Sequence, residues 1–162
     1  VNRLEALGVD VVELSGGSYE APAMQGQTRD DTTLAREAYF LEFAQALVSK
    51  TDIPLMTTGG IKRAEVAEEV IEQGCALVGL ASALAITPDL AKKWQQEWAY
   101  SGIIPHCSWK DKSLASLANM AMVRRQLRRL GNNLTTLRNP SPLWSLILDM
   151  LHRKKMTKRD VG

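Results

Sequence analysis

The sequence predicts an α/β protein built on a parallel sheet, and three observations carry that prediction. Short apolar runs at 9–14, 53–58 and 76–80 read as buried strands. Small residues close each run: Ser15-Gly16-Gly17, Gly59-Gly60 and Ala81-Ser82. Between the runs the apolar residues take up helical spacing, so strand and helix alternate in the manner of successive βα units. Such units pair in parallel and cross over with one hand.

The chain enters on residues 1–8, which read as the closing turns of a helix stopped at Gly8, so the fold is expected to be already under way there. Val9 to Leu14 is the first strand. Residues 18–33 are polar and lack periodicity, a long loop of the kind that carries function in compact domains. From Leu34 to Lys50 an amphipathic helix is expected, with Leu34, Ala38, Leu41 and Val48 on one apolar face and Tyr39, Phe43 and Leu47 beside it. Ile53 to Thr58 is the second strand, with Pro54 near its start, where a missing N–H is tolerated. Gly59 and Gly60 let the backbone turn sharply and approach a ligand. Val66, Ala67, Val70 and Ile71 mark a helix from Lys62 to Gln73, and Gly74 suits its C-terminus. Ala76 to Leu80 is the third strand, and residues up to Trp98 complete the third unit.

Beyond Trp98 the pattern changes. Tyr100 to Lys112 is irregular, and Ser113 to Leu130 reads as a helix with Ser113 as N-cap and Gly131 as its stop. A turn at Asn132–Pro142 leads to a last helix from Leu143 to about Lys154, whose apolar side includes Trp144, Ile147, Leu148 and Leu151. The residues from Lys155 on are expected to fray. This divides the chain into a βα part, 1–98, and a helical extension with a basic tail, 99–162.

At 162 residues the chain is long enough for one domain with a core, and 45% hydrophobic with 23% charged content is ordinary for a soluble globular protein. No apolar run approaches a membrane span, and the N-terminus lacks a secretory pattern, so no membrane partner is expected. Cys75 and Cys107 lie far apart and suggest neither a disulfide nor a metal site; a reducing, cytoplasmic setting is expected. Two histidines, His106 and His152, do not build a metal cluster. Charge is uneven. Residues 124–162 carry ten Lys/Arg against two acids, a net of +8, while residues 1–123 carry ten against sixteen, a net of −6. Without interleaved aromatics or a reading motif, the basic end reads as the solvated outer face of terminal helices rather than a nucleic-acid site.

Glycines at strand ends expose backbone N–H groups, which suits a phosphate. Two such turns after consecutive strands match the phosphate site that TIM barrels form from their last two strands. The alternative is that Gly59-Gly60 merely makes a tight turn. Neither G-x-G-x-x-G nor a Walker A pattern occurs. Ser15 and Ser18 flank glycines, but no histidine in the three units can serve them as base. Cys75 reads as a small buried hydrophobe, and His106-Cys107 as solvated or packing residues rather than a dyad. Trp94, Trp98, Trp109 and Trp144 read as packing for the terminal helices, and Met120 and Met122 as core filling.

Four stretches together resemble a known family: Gly8–Gly17 with Tyr19–Met24, Arg36–Phe40, Thr57–Ile61, and Leu77–Leu80 with Pro88–Leu90. They are similar to the C-terminal part of the Old Yellow Enzyme family, in the NADH:flavin oxidoreductase/NADH oxidase branch that includes 2,4-dienoyl-CoA reductase-like enzymes. Asn119–Gly131 resembles the closing helix of that branch, and the resemblance covers about residues 3–130. It implies the last three units of a TIM (β/α)8 barrel, here the sixth to eighth, followed by two C-terminal helices. It also implies FMN as cofactor, NADH or NADPH as reductant, and an activated alkene as small-molecule substrate. On this resemblance Gly59, Gly60, Ala81 and Ser82 hold the FMN phosphate, and Tyr19 and Met24 border the substrate side. The catalytic residues are expected upstream of this chain, with no metal.

Where the family usually carries an arginine after the last strand, this chain has Ser82, a loss on the order of a few kcal/mol of charge-assisted contact. Half a barrel leaves the edge of the first strand open, so a second copy or the missing N-terminal half is expected as partner. The rival readings are a flavin-free or truncated homologue acting by association, and a different phosphate-binding TIM-barrel enzyme.

Overall fold

The structure, a computed structural model, describes residues 2–15 and 41–160. In chain order its elements are α1 (Asn2–Glu5), β1 (Val12–Leu14), α2 (Leu41–Val48), β2 (Leu55–Thr58), α3 (Ala64–Glu72), β3 (Leu77–Gly79), α4 (Ser82–Ile86), α5 (Leu90–Gln96), α6 (Lys112–Gly131) and α7 (Pro142–Asp160). The entry is tied down early. The Glu5 carboxylate accepts hydrogen bonds from the Thr51 hydroxyl and, at 3.1 Å, from the Asp52 N–H, which joins the end of α1 to the turn before β2.

The three strands pair in the order β1-β2-β3, all parallel. Val12 lies opposite Leu55, Leu14 opposite Thr57, and Thr57 opposite Val78. Paired residues of a ladder share a face and neighbours along a strand alternate, so Val12, Leu14, Leu55, Thr57 and Val78 point one way. Glu13, Met56, Thr58 and Leu77 point the other way. The first face forms the core with Ala44 from α2, Val66 and Val70 from α3, and Ile61 and Cys75 from the turns. Burying a side chain such as Leu55 or Val70 stabilises by about 1.5–3 kcal/mol. The second face is open: Glu13 is exposed and Leu77 is 45% exposed. Among the described residues neither β1 nor β3 has a second strand neighbour.

Helix α3 buries Val66 and Val70 on its sheet side, but Ile71 is exposed because it stands about 100° round the helix from Val70. Phe43 on α2 is likewise exposed. Gly74, at φ +96°, follows the end of α3, and a Cβ there would meet Val48 Cγ1 at 2.8 Å. Two short helices follow β3, interrupted at Thr87-Pro88, since the residue before a proline avoids helical geometry. The Gly102 N–H then donates to Lys62 O at 2.7 Å, and Leu90 packs so closely that a Cβ on Gly102 would lie 2.9 Å from its Cδ2. This pins the irregular connection beside the turn that follows β2.

Helix α6 starts two residues earlier than its serine suggests. Asp111, not Ser113, is the cap, accepting from the Leu114 N–H at 2.9 Å. At the other end Gly131 is still helical, and Asn133 takes the left-handed turn at φ +57°. The connection then doubles back along α6. The Leu134 N–H donates to Arg129 O, and the Leu137 N–H to the buried Gln126 Oε1 at 2.7 Å. Met122 is buried on α6, whereas Met120, about 200° round the helix from it, is exposed.

The largest departure from the sequence reading is α7. Its buried residues are Ser145 and Asp149, while Trp144, Ile147 and Leu151 are exposed and only Leu148 is half-buried. Asp149 Oδ2 accepts from Arg124 at 2.6 Å and from Arg153 at 3.0 Å, and Oδ1 accepts from Arg128 at 2.9 Å. The Ser145 hydroxyl accepts from Arg125 at 3.3 Å. Burial pushes the Asp149 carboxyl up, but the hydrogen bonds and charges of Arg128 and Arg124 outweigh it and hold the group below its usual 3.8. The polar side therefore faces α6 because its cationic partners sit there. Of the tryptophans, Trp109 packs against the α6 cluster and Trp94 Nε1 donates to Tyr100 O, but Trp98 and Trp144 are exposed rather than packed. No helix among the described residues is long and apolar enough to cross a membrane.

Candidate functional site

All three strand ends meet at the carboxyl edge of the sheet, the side where ligands bind in parallel α/β folds. A cleft of about 250 Å³ opens there, lined by Ser15 after β1, Thr58, Gly59 and Gly60 after β2, and Gly79, Ala81 and Ser82 after β3. Ile61, Ala83 and Ile104 close its walls. The register makes this convergence, since Thr58 stands opposite Gly79 and its hydroxyl donates to Gly79 O at 3.2 Å. Gly79 has to be a glycine: a Cβ would fall 2.9 Å from Thr58 Cβ.

Gly59 and Gly60 have φ of +127° and +70°, a region that L side chains rarely enter. The structure thus brings Gly59, Gly60, Ala81 and Ser82 into one cleft, as the sequence reading grouped them. Tyr19 and Met24 lie outside the described residues. Six lining residues fall outside the predicted set: Ser15, Thr58, Ile61, Gly79, Ala83 and Ile104. In the sequence Ser15 reads as a turn residue or a nucleophile and Thr58 as a strand end, and nothing marks Ile104. The Gly102 contact that delivers Ile104 is a long-range one and leaves no mark in local spacing.

Among the described residues, none that lines the cleft carries a charge. The cleft's polarity comes from the hydroxyls of Ser15, Thr58 and Ser82 and from main-chain groups. Such a cleft can take up an anion by hydrogen bonding, without an ion pair. Other nucleophile candidates do not assemble. Cys75 lies in the core and burial pushes its thiol up. His106 is exposed while Cys107 is buried against Ala115, Ala118 and Met122. No group of three or more His, Cys, Asp or Glu among the described residues is placed to hold a metal ion.

No protein-family model matches the chain. It is 40% identical over 101 residues to the NADH-dependent flavin oxidoreductase iliE of Hypocrea jecorina (strain QM6a), covering 57% of this chain and 25% of that protein. To the NADH-dependent flavin oxidoreductase iccE of Talaromyces variabilis it is 37% identical over 93 residues, 52% of this chain and 22% of that protein. It is also 31% identical over 99 residues to the 4,4'-dithiodibutanoate disulfide reductase of Rhodococcus erythropolis, 59% of this chain and 25% of that protein. The chain thus spans about a quarter of the length of these curated relatives. The similarity to NADH-dependent flavin oxidoreductases is the one the motifs indicated.

Proposed function

We propose that this chain carries the phosphate-holding end of a flavin site in an NADH-dependent oxidoreductase, with FMN as the flavin. The observation that carries this reading is the single cleft shared by Gly59, Gly60, Ala81 and Ser82, in a chain related to NADH-dependent flavin oxidoreductases. The residues present fit a phosphate. Two glycines with positive φ offer main-chain donors with no side chain in the way, and Ser82 adds a hydroxyl, while that of Thr58 is already given to Gly79 O. When bound, FMN supplies the hydride relay between NADH or NADPH and the acceptor. The chain's own share is to hold the phosphate at the strand ends and to keep water from its apolar side with Ile61 and Ile104. The acceptor suggested by the family resemblance is an activated alkene; one relative is named for a disulfide substrate instead.

On the same reading β1 to β3 are the last three strands of a TIM barrel, and the open face bearing Met56 and Leu77 is covered by the rest of that barrel or by a second copy. A flavin-free relative acting by association is the second reading, favoured by one observation: no cationic side chain among the described residues lines the cleft. The visible absorbance spectrum decides between them, taken on the purified protein after incubation with FMN and desalting. Retained flavin that is lost in Gly60→Val supports the FMN reading. No retained flavin in a folded protein sinks it. Ser82→Arg, which supplies a charge-assisted donor, is expected to tighten FMN binding by about tenfold, measured by fluorescence titration.

A further inference from the structure

Helix α7 is built inside out. Its polar residues Ser145 and Asp149 are buried against α6, and the side turned to solvent is apolar. That side carries Leu143, Trp144, Ile147, Met150 and Leu151, each 37–63% exposed. The spacing i, i+1, i+4, i+7, i+8 makes them one continuous stripe. Continued by one more turn, the same stripe reaches Lys154 and Lys155, both exposed. One face is thus apolar for about two and a half turns and then cationic. Arg124 and Arg128 on α6 fix the orientation, because rolling α7 to bury its apolar side would strip that carboxylate of both partners on the neighbouring helix.

What covers the face is narrowed by charge. Across α6, α7 and their connection, residues 112–160, eleven Lys/Arg face two acids, Asp149, which is buried and already paired, and Asp160 at the far end of α7. A second copy packed through α7 would set strongly cationic surfaces side by side with little acidic charge to offset them. The stripe alone, about 100 Å² from each of its residues, also falls short of the roughly 800 Å² per partner of a stable interface. A nucleic acid meets the charge but not the apolar turns.

We propose that α7 is a docking helix for an anionic lipid surface. Trp144, Ile147 and Met150 enter the boundary between headgroups and acyl chains, and Lys154 and Lys155 meet lipid phosphates or carboxylates. A helix lying in the surface needs no membrane-spanning length, so the lack of a spanning helix among the described residues has no bearing on it.

The test is co-sedimentation of the full chain with vesicles of phosphatidylcholine alone and with about one-third phosphatidylserine, followed by tryptophan emission. Binding is expected to the anionic vesicles only, to weaken with added salt, and to shift the emission to the blue. Trp144→Phe should remove that shift, although three other tryptophans remain. Ile147→Glu with Met150→Glu, both at exposed positions, should lower the bound fraction about tenfold, and so should Lys154→Glu with Lys155→Glu. The proposal is overturned if the folded chain ignores anionic vesicles, or if either double variant binds as the parent does. It is equally overturned if sedimentation shows an oligomer that Ile147→Glu dissociates and vesicles go unbound, which would give the face to a second copy.

Discussion

In the sheet unit Leu14, Leu55, Val66 and Val70 meet across an apolar contact, whereas the groups that meet between α6 and α7 are Ser145, Asp149 and arginines. The first contact is non-directional and owes its stability to area removed from water, so it is indifferent to pH. The second is directional, depends on the ionised state of one carboxylate, and leaves apolar side chains outside. Each therefore fails under different conditions, and that difference can be tested.

The largest effect is expected in the sheet. Leu55→Ala removes a buried side chain from the central strand and should cost about 3–4 kcal/mol in urea denaturation. Asp149→Ala should come next, at about 3 kcal/mol, because it leaves Arg124 and Arg128 facing each other without their shared acceptor. That figure sits low in the range for buried pairs since the arginines keep partial access to water. If the two losses ranked the other way, the ion cluster rather than the apolar core would be the main stabiliser.

A pH series sharpens the contrast. Asp149 is the only buried acid among the described residues, and its folded pKa lies below its ordinary 3.8. Its contribution is therefore complete above that ordinary value and is lost as pH falls through the lower, folded one. The α6–α7 contact should loosen in this acid window while the sheet core persists. Parallel loss of both, followed by near-ultraviolet circular dichroism, would show that they are not separable. The smallest effect belongs to Met150→Ser: without vesicles it should change stability by no more than about 0.5 kcal/mol, since that side chain is 63% exposed. A loss of 2 kcal/mol or so would mean the face is covered in the free protein.

Much of the sheet unit was readable in advance. The apolar runs at 9–14, 53–58 and 76–80 each contain an observed strand, and the glycine pair and Ser82 fall at the strand ends where small residues were needed. The reading failed where a side chain's fate depended on a distant partner. Ser113 looked like a cap until Asp111 took the Leu114 N–H, and Met120 looked like core until the helix turned it outward. For α7 the periodicity names the apolar side correctly, and Trp144 on it reads as packing, where apolar sides usually go. Arg124 and Arg128 reverse this by offering Asp149 two guanidinium groups on a neighbouring helix.

By itself, then, the sequence determined the alternation of strand and helix, the parallel sheet and the placing of Gly59, Gly60, Ala81 and Ser82 at the strand ends. These follow from spacing and from conformations that only small residues allow, which are properties of short stretches of chain. Only the tertiary structure decided that Ser15, Thr58 and Ile104 join them in one cleft and that α7 turns its polar side inward. Both depend on groups distant in sequence meeting in space: a strand register and a glycine contact in one case, a carboxylate among arginines in the other. Local periodicity carries no record of such meetings.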